Sequence, residues 1–281
     1  MQDTILTIYC LCDDFLKAVD YRDDSQTKFT TAQVMTVPLV ACCFFGGNVN
    51  QAHIFLDEHG YFTHSLSQSR LNRRLHALPL ELWQTLFNLL GQVFKECNPT
   101  GDYIVDSLPV AACDNIRIRR CRLMGAPHSA EKEAHRGRIA SKKRYFFGLR
   151  VHLLVTGRGE PVEFVLAPGS EADVDVFKRF GLDLPLGSTI HADKGYTDYH
   201  EEDLLQEAGE IQLLSARKRN ATRKRAPWQE YLSSNIRKGV ETAFSRLTNW
   251  FPHHIQAVTQ RGFLLKIVCF LLAFSIDSLN R

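Results

Sequence analysis

Helical periodicity dominates the first hundred residues. Apolar residues recur at spacings of three and four within Ile5–Leu16, which predicts an amphipathic helix. Threonine before and glycine after an apolar run predict a further helix over Val34–Phe45, and Pro79 near a first turn predicts another over Leu80–Phe94. We therefore predict an all-helical domain over residues 1–99.

One helix of this region is basic. The segment Ser67–Leu75 is amphipathic and carries Arg70, Arg73 and Arg74. A short helix of this kind among other short helices is typical of a helix-turn-helix-like DNA reader, in which the three arginines would contact DNA. A plain helical bundle with one solvated face fits equally well, because the rest of the region is acidic.

The pattern changes at the turn cluster Asn98–Gly101, beyond which strands and helices alternate. Five strands are predicted, over Asp102–Leu108, Tyr145–Val155, Pro161–Leu166, Thr189–Asp193 and Ile211–Leu214. The first three can form an antiparallel meander, and the later ones need helical crossovers, of which Gln229–Trp250 is the longest helix. The sheet should therefore be mixed, in an α/β domain over residues 100–250.

Two stretches stand apart from this alternation. The segment Gly125–Ser141 lacks apolar periodicity and is predicted to be a long loop, either ordered by DNA or a surface insertion. The apolar run Phe263–Ile276 is broken by Lys266 and is too short to span a bilayer of about 30 Å. We predict that residues 251–281 form a buried helix that packs on the core, and that the protein acts in the cytoplasm rather than at a membrane.

Composition places the chain among ordinary globular proteins. Of 281 residues, 44% are hydrophobic and 23% charged. Residues 1–99 carry 7 Lys/Arg and 10 Asp/Glu, whereas residues 100–281 carry 27 and 21, so the basic excess lies in the second region. Such a surface favours polyanions, although a solvated surface would have the same balance. A Walker-type phosphate loop is missing from the sequence, so ATP use is not indicated.

Three acidic residues are notable for their positions. Asp106 interrupts the apolar strand segment Tyr103–Ser107, where a charge is costly unless it is paired or binds a metal. Asp193 ends the fourth predicted strand, and ligand sites in such sheets gather at the carboxyl ends of strands. Glu241 borders the apolar stripe of the last helix. Carboxylates that meet at one point repel one another, and Mg²⁺, which prefers oxygen ligands, removes that repulsion.

The three acids lie in sequence blocks that resemble the catalytic blocks of bacterial insertion-sequence DDE transposases. The blocks are Val105–Pro109, His191–Tyr196 and Arg237–Phe244, and the similarity covers about residues 100–250. Relatives often carry a tyrosine seven residues before the glutamate and a lysine seven after it, where this chain has Ser234 and Thr248.

The resemblance implies a fold, a chemistry and a site. It implies an RNase H-like core and two Mg²⁺ or Mn²⁺ ions held by Asp106, Asp193 and Glu241. It also implies hydrolysis that frees a 3′-hydroxyl, followed by attack of that hydroxyl on target DNA. Arg237 matches a basic residue that is often found four positions before the glutamate.

Basic residues concentrate just before the helix that carries the glutamate. Six of the nine residues in Arg217–Arg225 are basic, and Trp228 follows. Their position favours a phosphate clamp, with the tryptophan stacking on an unpaired base, over a mobile solvated loop. The DNA contacts predicted for this region are Lys194, Arg217, Lys218, Arg219, Arg223, Lys224, Arg225, Trp228 and Arg237.

Three functions remain open at this point. The first is a transposase that cuts element ends and joins them to target DNA. The second is an RNase H-like endonuclease without strand transfer, and the third is a non-catalytic DNA-binding protein, against which the three intact acids argue. Because two element ends must be held together, we expect a homodimer on DNA.

Overall fold

A computed structural model of the chain describes residues 1–125, 129–139, 143–252 and 255–279, with the side chains of all but 115–116 and 239–243. The chain divides into two compact units. One consists of Met1–Phe87 and Trp250–Arg281, and the other of Asn88–Asn249.

The first unit is helical. Its helices are α1 (Gln2–Ala18), α2 (Thr31–Phe44), α3 (Val49–Glu58), α4 (Gln68–Ala77), the first part of α5 (Leu80–Glu96) and α10 (Gln260–Leu279). Thr30 begins α2 with a capping box: its hydroxyl accepts from the amide of Gln33, whose side chain accepts from the amide of Thr30. The predicted helical N-terminal region is confirmed.

The helix α10 lies in the core of the first unit. Phe263, Phe270 and Phe274 are buried, and the helix packs against α2. Among the described helices, α10 is long and apolar enough to cross a membrane, and α2 and α3 together pass the same test although they are bent by 108°. Because 72% of the apolar window of α10 is buried inside the protein, as in an ordinary core helix, this is weak evidence for a membrane span.

The second unit contains a mixed sheet of six strands. They are β1 (Asp102–Asp114), β2 (Arg136–Ile139), β3 (Arg144–Thr156), β4 (Pro161–Pro168), β5 (Thr189–Ala192) and β6 (Gln212–Ser215). Neighbours follow the order β2-β3-β1-β5-β6, and β4 also pairs with β3. The pairs β1–β3, β2–β3 and β3–β4 are antiparallel, whereas β1–β5 and β5–β6 are parallel. The predicted α/β class, an RNase H-like mixed sheet flanked by helices, is confirmed.

Helices of very different length lie between the strands or follow the last one. They are α6 (Ala130–Ala134), α7 (Asp173–Phe177), α8 (Tyr199–Gly209) and α9 (Pro227–Trp250). Asp198 caps α8, since its Oδ1 accepts from the amides of His200 and Glu201. Shorter 3₁₀ turns follow β1 and β5, over Asn115–Arg120 and Lys194–Tyr196.

The first strand is longer than its apolar pattern. It continues to Asp114 because β3 pairs with it along almost its whole length. The parallel partner β5 reaches only from Asp102 to Val105, so the later part of β1 is paired on one side. A strand with one open side tolerates Pro109, which lacks an amide hydrogen.

The sixth strand was not predicted. The segment Gly125–Ser141 was expected to be a loop, yet α6 and β2 lie within it; residues 126–128 and 140–141 lie outside the described residues. The strand β2 forms through backbone hydrogen bonds with β3, and such bonds do not require a periodic pattern of apolar residues in the sequence. The strand β2 also needs a glycine at position 137, because a Cβ there would come within 2.3 Å of the carbonyl oxygen of Gly169.

The compact units cut the chain differently from the predicted domains 1–99, 100–250 and 251–281. The first boundary lies inside α5, and the C-terminal helix α10, predicted to pack on the core, belongs to the helical unit. Hydropathy predicted that α10 is buried but carries no information about which apolar surface covers it. The assignment of functions to domains remains a prediction.

Candidate active site

The pairing of β1 with β5 brings two of the three predicted carboxylates together. The strands are parallel, with Val105 opposite Ala192. Asp106 and Asp193 each follow by one residue, so they continue the same register where β5 ends. Partners in a parallel ladder project to the same face of the sheet. The two aspartates therefore lie side by side on one face.

Their environments differ. Asp106 is half-buried and its Oδ1 accepts a hydrogen bond of 2.7 Å from the amide of Ser107, whereas the side chain of Asp193 is 54% exposed. Burial raises the pKa of Asp106, and the charges of Asp193 and Asp173 add to the rise, while the Ser107 amide and Arg237 oppose it. The site thus holds negative charge that the described residues compensate only in part, as in a cation-binding pocket.

The helix α9 covers the same face. Ser233 Oγ lies 3.1 Å from His191 Nδ1, and His191 Nε2 lies 3.0 Å from Asp102 Oδ1. One helical turn later, Arg237 Nη1 lies 3.5 Å from Asp193 Oδ1. Successive turns of α9 therefore contact successive same-face residues of β5 and its end.

The chain of Asp102, His191 and Ser233 has the connectivity of a nucleophilic triad. His191 is 1% exposed and Ser233 8% exposed, so a substrate atom cannot reach the hydroxyl. Burial lowers the pKa of His191, which favours a neutral ring that donates from one nitrogen and accepts at the other. We interpret this chain as the anchor of α9 on the sheet. Sequence analysis found no function for His191, because its two partners are distant in sequence.

The third predicted carboxylate, Glu241, belongs to α9, four residues after Arg237 in the same helix. Its side chain lies outside the described part of the structure. Among the side chains that are described, no group of three or more His, Cys, Asp or Glu residues could hold a metal ion. Glu241 is not among those side chains, so its role in the site stays a prediction.

The basic loop, residues 217–225, is only partly available to DNA. Arg217 donates to Glu202 from both terminal nitrogens, at 2.6 and 2.5 Å, and the side chain of Arg217 is 6% exposed. Arg225 lies 3.7 Å from the same carboxylate and donates to the carbonyl of Leu213. Arg217 and Arg225 thus hold the loop on α8 and β6, and a phosphate contact by either arginine stays a prediction.

The remaining members of the loop are exposed. Arg223 pairs with Asp203 at 2.6 Å and stacks over Tyr199. Lys218, Arg219 and Lys224 are exposed, as are Lys194 beside the aspartate pair and Trp228, which is 66% exposed at the start of α9. The sequence shows these charges but not the carboxylates that pair with some of them, and the predicted DNA contacts stay predictions.

The arginines of α4 show the same division in the helical unit. Leu71 and Leu75 form its buried side, and Arg70 and Arg73 are exposed. Arg74 instead donates to the carbonyl of Phe29 and to Thr31 Oγ1, and pairs with Asp23 at 3.3 Å. Arg74 therefore fixes the segment before α2, and the DNA contacts predicted for Arg70, Arg73 and Arg74 stay predictions.

The opposite face of the sheet carries a polar cluster that sequence analysis did not assign. We call it the rear cluster; its members are Ser107, Arg150, His152, Asp173 and Tyr196. Ser107 pairs with His152 in the β1–β3 ladder, and alternation along β1 directs Ser107 away from the face of Asp106. Arg150 and His152 were visible as polar alternations in β3, whereas Asp173, on a helix of five residues, gave no signal.

A comparison with protein-family models gives one match, described as a transposase DDE domain, over residues 96–256. The matched segment covers more than half of the chain and contains both aspartates and the whole of α9. The chain belongs to the transposase DDE domain family. No curated protein and no solved structure matches it.

Membership gives the site its general chemistry. Transposase DDE domains are nuclease and transposition enzymes that act on DNA and generally use divalent metal ions. The predicted recognition as a DDE transposase is thus confirmed. The family match extends over the six-stranded sheet and the paired aspartates, so these belong to the transposase domain.

Proposed function

We propose that this transposase serves an insertion sequence: it cuts phosphodiester bonds at the element ends and transfers the 3′-hydroxyl ends to target DNA. It would act on nucleoid DNA in the bacterial cytoplasm. The observation that carries the proposal is the pair Asp106 and Asp193, side by side on one face in a DDE domain. Glu241 is the proposed third acid, since it follows Arg237 by one helical turn.

Two Mg²⁺ or Mn²⁺ ions are the proposed cofactors. Carboxylate oxygens are the ligands these cations prefer. Burial raises the pKa of Asp106 and the charges of Asp193 and Asp173 add to the rise, so a bound cation would stabilise the ionised form. Asp106, Asp193 and Glu241 would hold the ions. When bound, such a pair activates the attacking oxygen and stabilises the leaving oxygen in a displacement at phosphorus.

The protein's own side chains would position the acids and the DNA. Arg237 holds Asp193 from α9, and the His191–Ser233 contact fixes the register of that helix on the sheet. Lys194 is exposed directly after Asp193, where a phosphate near the aspartates would meet a positive charge.

A second surface for DNA is proposed at the start of α9. Lys218, Arg219 and Lys224 would contact phosphates, and the exposed ring of Trp228 would stack on an unpaired base. Arg217 and Arg225 would act indirectly, by holding the loop through Glu202.

The test uses a DNA fragment that carries the element with its flanking sequence. We expect Mg²⁺-dependent cleavage at the element ends and joined products with target DNA, mapped on a sequencing gel. Asp106→Asn, Asp193→Asn and Glu241→Gln should each abolish cleavage while DNA binding persists. Asp175→Asn and Glu230→Gln, exposed acids on α7 and α9, are matched controls.

The outcomes separate the alternatives. Cutting without joined products would support an endonuclease instead of a transposase. Undiminished cutting by any one of the three variants would remove that residue from the proposed site. The proposed homodimer on DNA is tested by measuring the mass of the protein with and without end DNA; a monomer in both states would contradict it.

A further inference from the structure

The rear cluster is built around the carboxylate of Asp173. Its Oδ1 lies 3.4 Å from Arg150 Nη1 and 3.4 Å from Ser107 Oγ. Arg150 is itself fixed, because it also donates to the carbonyls of Gly169 and Arg138. Asp173 is thus paired with an arginine, and its partner Ser107 projects from the sheet face opposite to that of Asp106.

A buried pair lies beside this carboxylate. His152 is fully buried, and its Nδ1 lies 3.0 Å from the hydroxyl of Tyr196, which is 1% exposed. Burial lowers the pKa of His152 to about 3, so the ring is neutral and the tyrosine hydroxyl donates to Nδ1. The hydrogen then lies on Nε2, which has no hydrogen-bond partner among the described residues and lies 4.0 Å from Asp173 Oδ1.

These residues fix the turn that follows Asp193. The turn is Lys194–Tyr196, so its last residue is the tyrosine held by His152. Its middle residue is packed against the acid: a Cβ on Gly195 would come within 2.6 Å of Asp173 Oδ2. The backbone after Asp193 therefore has contacts at two successive positions, and both lead to the rear cluster.

We propose that Asp173 is a positioning residue that orients Asp193, by packing on Gly195 and by joining Ser107, Arg150 and the His152–Tyr196 pair behind the site. The proposal rests on the proposed function, in which Asp193 binds the metal ions. Ser107 extends the effect to β1, because its amide donates to Asp106 while its hydroxyl faces Asp173. Both aspartates are thus held from the opposite face of the sheet.

The experiment compares Asp173→Asn with the wild-type chain and with Asp175→Asn, an exposed acid two residues later on the same helix. Mn²⁺ affinity is measured from the free-ion electron paramagnetic resonance signal, without DNA. We expect Asp173→Asn to weaken Mn²⁺ binding by about tenfold or more, as for other residues that orient metal ligands. Cleavage should need a correspondingly higher metal concentration, and its rate at saturating metal should fall by less.

A second variant tests the contact itself. Gly195→Ala displaces the Asp173 carboxylate without removing it and should weaken Mn²⁺ binding in the wild-type background. In an Asp173→Ala background it should have no further effect, because the oxygen that it strikes is gone. Thermal melting of each variant shows whether its fold is intact, and the double-mutant comparison decides if Asp173→Asn is unstable.

The outcomes distinguish this inference from the proposed function. Wild-type Mn²⁺ affinity in Asp173→Asn, or independent effects of Gly195→Ala and Asp173→Ala, would overturn the positioning role alone, provided that Asp106→Asn loses Mn²⁺ binding. A wild-type chain that neither binds Mn²⁺ nor cleaves DNA would overturn the proposed function and this inference with it.

Discussion

Two charged regions of the second unit, Asn88–Asn249, differ in how far their charges are paired within the protein. At the acidic site, Asp106 and Asp193 lie side by side, and Arg237 is the cation found in contact with them among the described residues. In the basic loop, the carboxylate of Glu202 pairs with Arg217 and lies 3.7 Å from Arg225 in a nearly buried cluster. The carboxylates of the first region are therefore available to a ligand, whereas the arginines of the second region bind groups of the protein itself.

This contrast separates functional charge from structural charge. The burial that raises the pKa of Asp106 makes its ionised form costly without a cation. Arg217 already pairs with Glu202, so DNA would have to replace a nearly buried ion pair to use it. The following predictions test the contrast from the largest expected effect to the smallest.

Breaking the structural charge should be the most damaging change. Glu202→Gln leaves two nearly buried guanidinium groups facing a neutral amide, and we expect a loss of about 3–5 kcal/mol of unfolding free energy. Urea denaturation measures it. Glu207→Gln, an exposed acid on the same helix, is the control. Equal stability of the two variants would mean that the cluster does not hold the loop.

The functional charge should respond to metal instead. Mn²⁺ at a hundred times its dissociation constant should stabilise the wild-type chain by about 2.7 kcal/mol. Asp106→Asn should lose this gain, and without metal it should melt above the wild-type chain, because an amide avoids burying a charge. Thermal melting with and without Mn²⁺ measures both effects. A metal-free variant that melts lower than the wild type would contradict the idea of uncompensated charge.

The exposed part of the basic loop should act on DNA affinity and not on stability. Replacing Lys218, Arg219 and Lys224 with glutamine should reduce the slope of log affinity against log salt by about 3. Arg223→Gln, which loses a cation already paired with Asp203, should change the slope less. Fluorescence anisotropy at several salt concentrations measures the slopes, and an unchanged slope in the triple variant would remove the loop from the DNA surface.

The smallest effect is expected at the anchor of α9. Ser233→Ala removes one buried hydrogen bond to His191 and should cost about 1 kcal/mol of unfolding free energy. Ser234→Ala, exposed at the next position of the same helix, should stay within about 0.5 kcal/mol of the wild type. If both serines behaved alike, the register of α9 would not depend on the contact with His191.

Much of the fold could be predicted from local pattern. Alternation identified β3, and helical periodicity identified α9, the helix that carries Arg237, since burial of one face imposes a period. The strand β2 could not be predicted from the sequence, because backbone pairing with β3 forms it. The role of Asp173 could not be predicted either, because it is a single polar residue on a very short helix and its partners are close only in space.

The sequence by itself determined which residues are acidic, in what order they follow one another, and on which kinds of element they lie, because these properties are local. Tertiary structure alone decided that Asp106 and Asp193 share a face of the sheet. It also decided that Glu202 contacts two of the arginines predicted to bind DNA, and that the rear cluster contacts the turn after Asp193. The physical reason is that charge acts through distance in space, and strand register and helix packing set those distances.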